Sequence, residues 1–125
     1  MKSASKIQEE IDRLNAKVKR QIKESKFNYY CDNWDKARIL DMDNERNHKY
    51  IQALQWAKGT DFYPKSKNQI QEEIDRLNTR FERQTKESDD LLDSDNYDKS
   101  EILHNDNVRI VQTIKTLKWT LGPNI

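Results

Sequence analysis

The sequence predicts an all-α chain, a tandem duplication of an antiparallel helical hairpin giving a pseudo-symmetric four-helix arrangement. Three observations predict it. Set against itself at an offset of 63, the sequence aligns residues 7–59 with 70–122 without a gap, and 27 of those 53 positions are identical, which marks an internal repeat. Within each copy, apolar residues recur at spacings of three and four, the period of one helix face. The 125 residues include only two Gly and two Pro and are 36% charged, a composition that suits long solvated helices and not a β-sandwich rich in turns. The expected organisation is repeat 1 over residues 1–59, a linker over 60–67 and repeat 2 over 68–125.

Each repeat opens on a helix. Ser5 with Gln8, and Asn68 with Gln71, have the spacing of a capping box, and the acidic pairs Glu9-Glu10 and Glu72-Glu73 suit the positive end of the helix dipole. The seam reads Ile7, Ile11, Leu14, Val18 in one copy and Ile70, Ile74, Leu77, Phe81 in the other. A second helix starts after Asp32-Asn33 and after Asp95-Asn96, residue types that accept hydrogen bonds from free first-turn amides. Its seam is Leu40, Asn44, Asn47, Ile51, Leu54, and then Leu103, Asn107, Ile110, Ile114, Leu117, Leu121. Gly59 and Gly122 are expected to end these helices in the left-handed conformation, with Pro123 following the second. The short loop inside each copy makes its helices antiparallel neighbours. Two arrangements of the hairpins stay open: four helices around one shared core, or a more extended array.

Composition bounds function. No apolar run approaches the roughly 20 residues of a membrane span, and no signal-peptide core follows Met1, so a soluble cytoplasmic protein is expected. One cysteine, Cys31, leaves no internal disulfide and fits a reducing compartment. The net charge of +1 offers no global case for nucleic acid. Locally, Lys17, Lys19, Arg20, Lys23 and Lys26 form a basic patch on the first helix, which the second copy dilutes with Glu82 and Asp89. Helix-surface lysines of this kind serve solvation first.

No catalytic constellation is found, so a non-enzymatic protein without cofactor is expected. Asp93, Asp95, Asp98 and Glu101 lack the glycine and terminal Glu of a calcium loop. Cys31, His48 and His104 lack paired zinc-ligand spacing, and Cys31 with His48 has no third orienting group. Asn44 and Asn107, at matching seam positions, read as register-setting polar residues that pair with each other. Trp56 and Trp119 point about 140° away from their own seams at 100° per residue. They therefore need a second surface, either the other hairpin or a partner. The greatest divergence between copies is the hairpin tip: Lys26-Phe27-Asn28-Tyr29-Tyr30-Cys31-Asp32-Asn33-Trp34 is aromatic, whereas Asp89-Asp90-Leu91-Leu92-Asp93-Ser94-Asp95-Asn96-Tyr97 is acidic. Tyr29, Tyr30 and Trp34, with Trp56 and Trp119, are the candidate partner-binding residues, because Tyr and Trp are over-represented at binding hot spots.

The ending Leu117-Lys118-Trp119-Thr120-Leu121-Gly122 resembles the Trp-x-Leu-Gly close of small bacteriophage helical-hairpin proteins, although the first copy carries Lys58 where that Leu stands. The resemblance implies a viral or mobile-element setting and transfers no catalytic residue. In that setting the expected function is a protein-binding module, an inhibitor or adaptor of a host protein such as a defence or nuclease complex. A self-assembling structural protein and a weak nucleic-acid binder are the alternatives.

Overall fold

The computed structural model describes residues 1–59 and 63–123, and among these it contains four α-helices and no strand: α1 (Ala4–Tyr30), α2 (Trp34–Lys58), α3 (Lys67–Asp93) and α4 (Tyr97–Leu121). At 1.5 Å per residue each helix is about 40 Å long. α1 packs on α2 and α3 on α4, as two hairpins, and the hairpins meet through α2 and α4. The packing order is thus α1, α2, α4, α3. Helix α3 begins at Lys67, so the expected linker loses its last residue, and its positions 60–62 lie outside the described residues.

The helix starts lie two residues before the expected caps. Ser3 accepts from the Lys6 amide at 3.1 Å and Ser66 from the Gln69 amide at 3.1 Å, while Gln69 Oε1 accepts from the Ser66 amide at 2.9 Å. The second copy therefore has a full capping box. The first has Lys6 at that place, a side chain with no acceptor to return the bond. Ser5 and Asn68 are helical, and neither first turn contains an acidic residue, so the Glu pairs lie two residues deeper than expected, in the second turn. Sequence period places a helix face well but its end poorly, because capping depends on backbone geometry outside the periodic stretch.

Both tips share one backbone solution. Asp32 and Asp95 adopt φ of 57° and 58°. The Asn33 amide donates to Asn28 O, and the Asp32 amide to Tyr29 O; Asn96 to Leu91 O and Asp95 to Leu92 O repeat the pattern. This is a Schellman closure with Asp at the left-handed position, which short polar side chains tolerate better than most. Asn33 and Asn96 then serve at once as the last residue of that closure and the N-cap position of the next helix.

The core is divided, not shared by all four helices. One cluster holds Ile7, Ile11, Leu14, Val18, Ile51 and Leu54, with Tyr50 and Trp119 packed against it. The other holds Ile70, Ile74, Leu77, Ile110, Ile114 and Leu117 together with Ala53 and Ala57. Each cluster is thus completed by side chains of the other repeat. The exchange takes place at matched levels: Glu45 pairs with Arg109, and one groove between the hairpins is lined by Met42, Glu45, Arg46 and Lys49 with their equivalents Asn105, Val108, Arg109 and Gln112. Residues of α2 meet residues of α4 about 63 positions later, so the two helices run the same way and both tips lie at one end.

At the opposite end the repeat extends further than the alignment. Lys2 and Lys65, also 63 apart, sit over Trp119 at 4.7 Å and Trp56 at 5.2 Å from the ring centroids. Buried Lys2 also donates through Nζ to Trp119 O at 3.1 Å and through its amide to Thr120 O at 2.7 Å, satisfying carbonyls that a helix end leaves open. This contact explains why Gly122 is not left-handed: with φ of −68°, it lets α4 end against Lys2. Gly59, by contrast, has φ of 66°, and a Cβ there would stand 2.5 Å from Tyr63 O.

Gly59→Ala is therefore expected to destabilise the chain by about 1–3 kcal/mol, whereas Gly122→Ala, with an ordinary φ and a Cβ 3.2 Å from the movable end of Lys2, should cost less, about 1 kcal/mol or under. Thermal denaturation followed by circular dichroism checks the pair, and equal melting temperatures would contradict the asymmetry.

Candidate interaction surface

Beyond Val18 the α1 seam changes character. Gln21, Ser25 and Asn28 are buried where apolar residues would continue the stripe, and they face Ala37, Asn44 and Asn47. Ser25 donates to Asp41 Oδ1 at 2.6 Å, Asn47 donates to Gln21 Oε1 at 3.0 Å, and Gln21 bonds Asp43. In the second hairpin Gln84 and Arg80 donate to Asp106, and the hydroxyls of Ser88 and Ser100 pair at 2.7 Å. The distal half of each hairpin is therefore held by hydrogen bonds across a narrow polar seam. Hydrogen bonds of this kind contribute about 1 kcal/mol each, against about 1.5–3 for a buried Leu or Ile.

Asn44 and Asn107 belong to this seam. The expectation that they pair with each other is corrected: the Asn107 amide donates to Thr85 Oγ1 at 3.1 Å and toward Phe81 O at 3.4 Å, both in its own hairpin. The hairpins meet on the opposite faces of α2 and α4, so seam residues of one copy do not see those of the other. Asn44 Oδ1 and Asn107 Oδ1 are buried with no donor, a costly state for a polar atom.

The tryptophans have unequal positions. Trp119 packs on the core of the first hairpin under Lys2, so it serves the contact between hairpins. Trp56 is 36% exposed beside Lys65. The expected basic patch also divides. Lys19, Arg20, Lys23 and Lys26 are exposed and lie within about 120° of one another around α1, whereas Lys17 lies on the other flank, 3.6 Å from Asp43.

The aromatic tip is the main exposed apolar feature. Tyr30 is 91% exposed, Phe27 66%, Trp34 58% and Tyr29 42%. Tyr29 is pinned: its hydroxyl donates to Asp41 Oδ2 at 2.9 Å, and its ring meets the edge of Trp34 at 6.0 Å between centroids. Asp41 thus receives both Tyr29 and Ser25 and ties the end of α1 to α2. The second copy has Leu92 and His104 at the matching places, so this brace belongs to the first tip alone. Tyr30 and Phe27 project from the braced base. The sequence-predicted site of Tyr29, Tyr30 and Trp34 does not include Phe27. Its alignment with Asp90 was the available signal, since a position that is Phe in one copy and Asp in the other is not a core position. Ile39 and Ile102, aligned and 65% and 67% exposed, extend the open apolar surface along α2 and α4, where the seam period alone marked them as nothing.

Replacing Asn44 by Leu is expected to raise stability by about 1–2 kcal/mol, since it removes an unpaired buried oxygen. A lower melting temperature would show that packing at this position overrides the polar cost. The bond to Asp41 raises the Tyr29 pKa above the ordinary tyrosine value, because ionisation would remove the proton that the hydroxyl donates to the carboxylate. A raised folded pKa contributes stability that is present below the unfolded value near 10 and is lost as pH rises through the folded value. Asp41→Asn should lower the Tyr29 pKa, read as the difference in 295 nm alkaline titration between chains with and without Tyr29→Phe. An unchanged difference would contradict the pairing. Compared with protein families, with curated proteins and with solved structures, the chain matches none.

Proposed function

We infer that the chain acts by binding another protein through its aromatic tip, without chemistry of its own. The observation that carries this reading is the pair Phe27 and Tyr30, both largely exposed on a base braced by Tyr29, Trp34 and Asp41. Large rings presented on an ordered base lose little conformational freedom on binding, which favours them as anchors. The second repeat has Asp90 and Asp93 at the two outward positions, so the shared fold does not require aromatic residues there. The resemblance of the chain's ending to bacteriophage helical-hairpin proteins supports a viral or mobile-element setting and a host protein, such as a defence or nuclease complex, as the target of an inhibitor or adaptor.

Tyr29→Ala with Tyr30→Ala would remove an anchor and the brace together, so the cleaner test is Phe27→Ala with Tyr30→Ala. In affinity capture from nuclease-treated bacterial lysate, this variant is expected to lose a stoichiometric partner retained by the unaltered chain. With the partner purified, affinity should fall at least tenfold, about 1.4 kcal/mol, while helicity and melting stay nearly unchanged. Equal capture by both chains would remove the tip from the interface.

A further inference from the structure

Where the hairpins meet, a crevice of about 310 Å³ opens between α1, α2 and α4. Its deepest residues are Leu14 and Leu54, 5% and 1% exposed. Half-buried Tyr50, Gln112 and Trp119 stand around them, and exposed Lys115 stands at the rim. Lys2, which takes one face of the Trp119 ring, does not line the crevice. The Tyr50 hydroxyl, the Gln112 side-chain amide and the Trp119 indole N–H can all donate, and among the described residues none of them has an intramolecular hydrogen bond. Arg13 and Lys17 also border the crevice, but Glu10 holds Arg13, and Asp43 holds Lys17 at 3.6 Å. Lys115 has no ion pair among the described residues. With both carboxylates counted, one positive charge is left beside an apolar floor. An apolar lining with a few convergent polar groups is the usual form of a small-molecule site.

The other repeat offers a comparison within the same chain. A smaller crevice of about 220 Å³ stands at positions 63 residues away, with Trp56 for Trp119 and Leu117 for Leu54. It has Thr113 in place of Tyr50 and Gln52 in place of Lys115, and its cation, Lys49, stands where the first crevice has Gln112. The fold thus makes the hollow twice, and Tyr50 with Lys115 are what the first one adds to it. We propose that the first crevice binds a small aromatic carboxylate. The ring lies on Leu14, Leu54 and Trp119, and the carboxylate accepts from Lys115 and from the Tyr50 hydroxyl. A single surplus charge suits one carboxylate and not a doubly charged phosphate. Because the walls come from both hairpins, the ligand also holds the hairpins together. The site shares no residue with the aromatic tip, so it goes beyond the partner reading above and stands or falls apart from it.

The probe is indole-3-acetate, with indole-3-acetamide as its neutral counterpart, titrated into the isotope-labelled full chain and followed by amide NMR. Shifts are expected to centre on the Trp119 indole N–H and on residues 47–54 and 112–119. They should saturate with a Kd of about 0.1–1 mM, and the melting temperature should rise with added ligand. Lys115→Gln installs at an exposed position the residue that the other repeat carries there, so the fold accommodates it. This variant should weaken the carboxylate about fivefold and leave the amide unchanged. Tyr50→Phe keeps the ring in place and should weaken the carboxylate as well. Shifts that do not saturate by about 10 mM overturn the proposal. So do shifts centred on Trp56 and Thr113, or a Lys115→Gln chain that binds acid and amide in the unaltered ratio.

Discussion

The contact on which the rest depends is the exchange of side chains between repeats at the base of the hairpins. A helix pair with a seam only one residue wide buries too little apolar surface to stand alone, and here each seam is roofed by its neighbour. Trp119 covers the Leu14–Leu54 region of the first hairpin, and Ala53 and Ala57 enter the cluster of the second. Lys2 then lies on Trp119 and caps the end of α4. Duplication supplies the logic: a surface complementary to a copy of itself becomes internal once two copies are joined in one chain.

Two consequences follow from where that contact lies. Apolar packing is concentrated at the base, so the distal halves rely on polar bonds across α1 and α2, and across α3 and α4. Such regions are expected at the less stable end of the range within a fold. The tips are also released from mutual packing. Side chains there have no partner repeat to satisfy, and it is there that the copies have diverged, from Phe27 and Tyr30 in one to Asp90 and Asp93 in the other. Divergence at the tips and identity at the base, where Leu54, Trp56 and Gly59 match Leu117, Trp119 and Gly122, express the same division of labour.

The tip brace shows how a local polar contact supports a surface. Asp41 accepts from Ser25 and Tyr29 and so orders the last turn of α1 against α2. The second hairpin holds the same level with Ser88 and Ser100 and presents acidic side chains without an aromatic brace. One backbone closure, with Asp32 or Asp95 in the left-handed conformation, carries both chemistries.

The sequence by itself determined the all-α class, the duplication, the antiparallel hairpins and the faces of each helix, because helical period and repeat identity are properties of neighbouring residues in the chain. It also marked the tip as the site of divergence and the tryptophans as needing a second surface. Only the tertiary structure decided what that surface is. Whether Trp119 meets the other hairpin or solvent depends on how two rigid hairpins dock, and no local period encodes docking. The same is true of the divided core, the parallel course of α2 and α4 that brings both tips to one end, and the isolation of Asn44 from Asn107. Lys2 and the true helix caps escaped because they act outside the periodic stretches. Their roles are set by carbonyls and rings brought near them from the far end of the chain.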